Sequence, residues 1–461
     1  MNYEISVLFR AIPVLMGAVS AGLGGYVLGH ASGPSARVAG LVLIFLAAIC
    51  LCLFATAATI IRQLIGRYTE LDRLLYPAFG FAVSCVPTGY GLYLLSGPRT
   101  PPPDFVAGHV AFGVGMVCAC VSCVATVSTR FLLISENSAL PEGSPPRAPA
   151  PFSPLTARIL TTLPVLAALA TWTWALLLLA GAGGGAAAGR FTSGHVMSGL
   201  ALVCTCLIGL VASILRQIQN TYTPRERTLW PGTAAALGAI GIVWALIVIA
   251  VHTRSTQLAA YVLIGLGLIC WSILSKVLLL ALVWRRDAPL ANRVPLIPVG
   301  TALLCLFLSA FLFESADPAV LVAARVLVGL GCICFSLFSI VSILESGTSG
   351  AGGDGDGNGG SASPAGAAGG RAFPDDDDPA GIVAAFRERL APGADRVVLR
   401  GLRAGRAGAD PAVEVAAGVR PVGPADRLPL RGPGPAAGRL TPATAARPPS
   451  GWRQGLRATA P

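Results

Sequence analysis

The chain has 461 residues, of which 54% are hydrophobic and 12% charged, with a mean hydropathy of +0.71. Soluble domains carry charge on about a quarter of their residues, so composition excludes a water-soluble globular protein. The net charge of +11 is almost all arginine, since Lys276 is the single lysine, and the arginines are scattered over loops and tail. A nucleic-acid partner requires them gathered on one face, so none is expected.

Ten apolar blocks follow in chain order: Ala11–Ala31, Val38–Ile61, Leu74–Ser96, Phe105–Ser128, Ile159–Gly183, Ser193–Leu215, Gly232–His252, Ala259–Trp284, Val294–Phe313 and Ala319–Leu344. Each is long enough to cross a hydrocarbon core of about 30 Å. The first reads as a span and not as a cleavable signal, because it is too long and a second span follows closely. The expected fold class is therefore an all-α polytopic membrane protein of about ten transmembrane helices with the lipid bilayer as its partner. Thirteen arginines fall on one side: Arg10, Arg62, Arg67, Arg73, Arg130, Arg147, Arg158, Arg216, Arg225, Arg227, Arg285, Arg286 and Arg293. Four (Arg37, Arg99, Arg190 and Arg254) fall on the other. The positive-inside rule then predicts both termini in the cytosol.

Residues 1–345 form the transmembrane domain in this reading, and 346–461 a Gly/Ala/Pro/Arg-rich cytosolic tail expected to be disordered. Within the tail, Asp378 and Pro379 form a helix-start signal. Ile382, Val383, Phe386 and Leu390 would share a face, as a transient helix or as a docking element for a partner.

Self-similarity adds architecture. Ile60–Pro77 (IIRQLIGRYTELDRLLYP) and Ile214–Pro231 (ILRQIQNTYTPRERTLWP) lie 154 residues apart and share eight of eighteen positions. The same offset relates Cys50 to Cys204 and Cys52 to Cys206. Val262–Val277 and Val326–Val341 share ten of sixteen. A Gly-x-Gly-x-x-Cys core recurs at Gly113/Gly115/Cys118, Gly265/Gly267/Cys270 and Gly329/Gly331/Cys334. Small residues at such spacing let membrane helices approach closely. Spans 1–4 thus resemble spans 5–8, with spans 9–10 as an extra pair, and the repeats are parallel.

Chemistry-bearing residues are sparse. Lys276 lies about two turns from the cytosolic end of span 8, where its stem would snorkel to the interface. Arg325 sits near the outer end of span 10, with Asp317 and Glu314 as expected partners. Both are candidate intramembrane charges, structural or functional. The duplicated cytosolic loop contributes Arg62, Gln63, Tyr68 and Arg73, matched by Arg216, Gln217, Tyr222 and Arg227. It reads as a paired structural clamp, with paired transporter gates as the alternative. Four histidines, His30, His109, His195 and His252, fall near the outer ends of spans, where a pH sensor and interfacial hydrogen bonding compete as readings. All twelve cysteines lie in apolar blocks and read as small hydrophobes. No catalytic constellation, cofactor motif or metal-ligand spacing is present in the sequence, so the chain is expected not to be an enzyme.

Arginine in place of lysine, Ala/Gly/Pro richness, about ten spans and short loops without a glycosylation sequon give the whole a familiar outline. It resembles the alphaherpesvirus multi-pass envelope protein family, named for the forty-third gene of the unique-long region. The resemblance covers 1–345 in architecture and composition. It implies a non-enzymatic protein of the virion envelope and host Golgi membranes, acting in assembly, egress or modulation of fusion. Viral envelope or tegument proteins would be its partners through the tail. A secondary transporter of small solutes is the alternative, disfavoured in sequence by the apolar character of the mid-span residues.

Overall fold

The computed structural model describes residues 3–97, 101–138, 151–181, 187–251, 257–282 and 293–349. The tail from residue 350 onward, with the Asp378–Leu390 segment, lies outside the described residues, as does His252.

Eleven α-helices account for the described chain: α1 (Tyr3–His30), α2 (Pro34–Leu64), α3 (Glu70–Leu95), α4 (Pro102–Val127), α5 (Leu132–Ser138), α6 (Pro154–Ala180), α7 (Ala187–Ile218), α8 (Pro224–Val251), α9 (Gln257–Leu282), α10 (Leu296–Phe313) and α11 (Pro318–Ser349). All but α5 are long and apolar enough to cross a membrane, which gives the ten spans read from sequence. The protein is an all-α polytopic membrane protein.

The ten long helices form five hairpins, each of an outer and an inner helix: α1–α2, α3–α4, α6–α7, α8–α9 and α10–α11. The inner helices pack in the order α2, α4, α7, α9, α11, and α11 returns to α2, closing a ring. Burial separates the classes. In the most apolar stretch of each helix, 72–83% of residues are buried in inner helices but only 22–33% in outer ones. Each outer helix leans on its own inner partner and on the inner helix before it in the ring. Its far face carries exposed apolar side chains such as Leu166, Leu177, Leu246, Phe307 and Phe311, a surface suited to lipid.

Interior prolines follow this division, whereas first-position prolines do not. Pro34, Pro102 and Pro318 stand first in inner helices, as Pro154 and Pro224 do in outer ones, where a missing N–H costs nothing. Prolines inside helices fall on the outer set: Pro13, Pro77, Pro87, Pro164 and Pro231. There each removes one backbone hydrogen bond, a defect kept out of the inner wall.

Glycine sets the helix separation. A Cβ on Gly24 would lie 2.7 Å from the Gly40 carbonyl oxygen, joining α1 to α2. On Gly91 it would lie 2.7 Å from the Gly108 oxygen, and on Gly267 2.9 Å from the Gly238 oxygen. Hairpin partners thus touch backbone to backbone.

Candidate functional site

The five inner helices carry one repeated pattern. Cys50, Cys118, Cys204, Cys270 and Cys334 are separated by 68, 86, 66 and 64 residues, and the same offsets relate every layer below. Both repeats found in sequence fall in this register, so the repeating unit is one hairpin and α10–α11 occupies the fifth place in the ring.

The Gly-x-Gly-x-x-Cys core is the contact device of that ring. Its first glycine is a hole for the next inner helix. An added Cβ on Gly113 would meet Leu200, on Gly199 Leu266, on Gly265 Leu330 and on Gly329 Leu46, all within 2.5–2.7 Å. Its second glycine faces the hairpin partner: Gly115 meets Thr88 of α3, Gly267 meets Gly238 of α8, and Gly331 meets Cys305 of α10. The cysteine then faces the preceding inner helix. Side-chain hydrogen-bond contacts join Cys118 to Cys52, Cys204 to Cys120 and Cys270 to Cys206. Cys334 meets Ser272 and Cys50 meets Ser336, which completes the circle. Among the described residues no cluster of three or more potential metal ligands is present.

The leucines that fill the glycine holes also face the ring axis. One cavity on the axis is lined by Val38, Val42 and Leu46 of α2 and their counterparts on all four other inner helices. A second lies deeper, lined by Ile49 and Leu53 with Val117, Val121, Val203, Leu207, Ile269, Ile273, Ile333 and Leu337 among others. The inner helices run parallel, because their N-terminal halves share the first cavity and their C-terminal halves the second. Between the cavities lie two layers, Leu46/Val114/Leu200/Leu266/Leu330 and Ile49/Val117/Val203/Ile269/Ile333. The cavity volumes are about 30 and 20 Å³, room for a water or two apiece. Neither cavity admits anything larger.

Among the described residues, one charged group reaches this column. Lys276 lines the deeper cavity and is only 3% exposed. Among the described residues it makes no hydrogen bond or ion pair. The expectation that it snorkels to the interface is therefore corrected, because its position in the heptad register places it on the axial face of α9. Arg325 differs from expectation too: Asp317 caps the start of α11 by accepting from Ala319 N at 2.8 Å, and no ion pair joins Arg325 to Asp317 or Glu314.

The duplicated loop lies at the arginine-rich end and ties neighbours together. Arg62 pairs with Asp72 at 3.1 Å and Arg216 with Glu226 at 3.0 Å, each clamping the end of an inner helix to the start of the next outer one. Both acids also accept from the backbone N–H three residues before them, Thr69 and Thr223, as helix N-caps do. Gln63 donates to the Ser128 carbonyl (2.6 Å) and Gln217 to the Leu280 carbonyl (3.0 Å), reaching the next inner helix at equivalent points. Arg73 pairs with Glu70 at 3.3 Å, and Arg227 holds the matching place on α8. Burial raises the Tyr68 phenol to about 12 and raises that of Tyr222, which donates to the Glu226 carbonyl at 3.3 Å. Asn137 of α5 caps α7 by donating to the Ile218 carbonyl at 2.7 Å.

At the opposite end Arg37 of α2 pairs with Asp104 of α4 at 2.9 Å. His109 lies against Phe105 and Trp174, and His195 against Phe191 and Trp244. These are two copies of one aromatic nest, whereas His30 stacks on Tyr26.

Residues 1–349, the extent of the helical bundle, match the family described as protein of unknown function (DUF2776). The chain belongs to that family. It is 47% identical to inner membrane protein YhiM of Escherichia coli (strain K12) over 354 residues, covering 76% of this chain and 99% of YhiM. No solved structure matches it. A bacterial relative aligned over almost its whole length overturns the resemblance to the alphaherpesvirus envelope protein. That resemblance rested on composition and span count, which an arginine-for-lysine bias and a membrane habitat impose on unrelated proteins. The virion and Golgi locations fall with it, and the viral partners lose their basis. Multi-pass membrane integration stands for the family member as for the sequence.

Proposed function

We propose that this DUF2776 protein is a non-enzymatic channel of the bacterial inner membrane, passing a small solute along the axis of its five-helix ring. The carrying observation is that all five inner helices turn the same heptad positions to one axis, where cavities lie on either side of two apolar layers. A ring of apolar side chains too narrow for water chains closes a pore by dewetting, so the form described is the shut one. The mid-span residues offer no polar site of the kind a coupled carrier needs. A hydrophobic gate needs none, and the one buried lysine sits on its path. The arginine bias supports cytosolic termini, which places Lys276 on the cytosolic side of the gate.

The test is to wet the gate. Leu266→Ser with Leu330→Ser puts two hydroxyls into one layer. In liposomes this variant is expected to raise solute or ion flux at least tenfold over the wild type. Flux equal to that of protein-free liposomes would mean the ring is a packed scaffold and would sink the channel.

A further inference from the structure

We propose that Lys276 is the ligand of a small monovalent anion, of about halide size, held on the axis in the deeper cavity; this rests on the channel reading. An ammonium taken from water is stable only when paired or hydrogen-bonded, yet the Lys276 side chain has neither partner among the described residues. Among the described residues no acid lines its cavity, and the wall is otherwise Val, Leu and Ile. At the same end of the bundle, the acids whose side chains are described are engaged elsewhere: Asp72 with Arg62, Glu70 with Arg73 and Glu226 with Arg216. A counter-charge brought by the passage itself would keep the buried ammonium charged.

Size and field agree with that assignment. A cavity of about 20 Å³ admits one water or an ion of similar bulk and excludes organic anions. Lys276 stands six residues before the end of α9, about 9 Å along the helix, and the arginine-rich loops lie beyond that end. Clustered positive charge of this kind raises local anion concentration and repels cations. In the ring register the places equivalent to Lys276 are Thr56, Val124, Leu210 and Ile340, so only one helix in five supplies the charge.

Two measurements on the full chain test it. In planar bilayers the Leu266→Ser/Leu330→Ser protein is expected to favour chloride over potassium at least tenfold. Adding Lys276→Met should lower that ratio at least tenfold, while Lys276→Arg keeps it. Separately, sodium bromide in place of sodium gluconate should raise the thermal unfolding midpoint of the wild type but not of Lys276→Met, whose own midpoint reports its folding. A conducting variant whose selectivity ignores residue 276 would overturn the anion site and leave the channel standing. A silent variant would remove the channel; the absence of a Lys276-dependent bromide shift would overturn the site on its own, leaving the lysine as counter-charge to helix C-termini.

Discussion

Gly89 and Gly91 lie two residues apart in α3 and meet opposite surroundings, which makes them a matched pair. A Cβ at Gly89 has nothing within 4 Å, whereas at Gly91 it would sit 2.7 Å from both the Gly108 oxygen and the Phe112 nitrogen. These are backbone atoms of α4, so no side chain can swing away; the two helices must part. Replacing glycine by alanine inside a helix gains about 0.5–1 kcal/mol, and this gain is common to both sites. Overpacking a close contact costs about 1–3 kcal/mol, and only Gly91→Ala bears it. Gly89→Ala should therefore be slightly more stable than the wild type and Gly91→Ala less stable than Gly89→Ala by about 1–3 kcal/mol. Purified protein in mixed micelles, unfolded by rising SDS fraction and followed by tryptophan fluorescence, gives both values. Equal stability of the two variants would refute the claim that glycine contact sets the hairpin spacing.

Two other predictions follow from the ring and its loops. Membrane-permeant iodine should oxidise neighbouring thiols to the disulfides Cys52–Cys118, Cys120–Cys204 and Cys206–Cys270, read as linked peptides by mass spectrometry; links such as Cys52–Cys270 in their place would show that the helix order is wrong. If both termini are cytosolic, as proposed, protease added to inverted inner-membrane vesicles should remove the tail beyond residue 349, and a tail cleaved only in spheroplasts would reverse the topology.

Much of the fold was legible because a bilayer imposes rules on sequence that water does not. Span length follows from hydrocarbon thickness, so ten blocks became ten helices. The repeated residues were visible as identities, and the structure gives them physical work: Arg62 and Arg216 hold acids, Gln63 and Gln217 reach the next inner helix. Degenerate copies were harder to see. α2 carries Phe45, Ala47 and Cys50 where α4 carries Gly113, Gly115 and Cys118, so only the cysteine survives. The 154-residue offset linking Cys50 to Cys204 was the signal that could have extended the motif to all five hairpins.

Sequence by itself determined membrane integration, the number of spans and the register of the repeats, since each depends on hydropathy or identity along one dimension. Only tertiary structure decided which helices line the axis and where Lys276 points. Inner and outer helices are both apolar all round, because lipid and protein interior are alike to a leucine. The distinction between a wall facing lipid and a wall facing a closed axis therefore leaves no hydropathy signal. It resides in which face of each helix the glycines and cysteines bring against its neighbour.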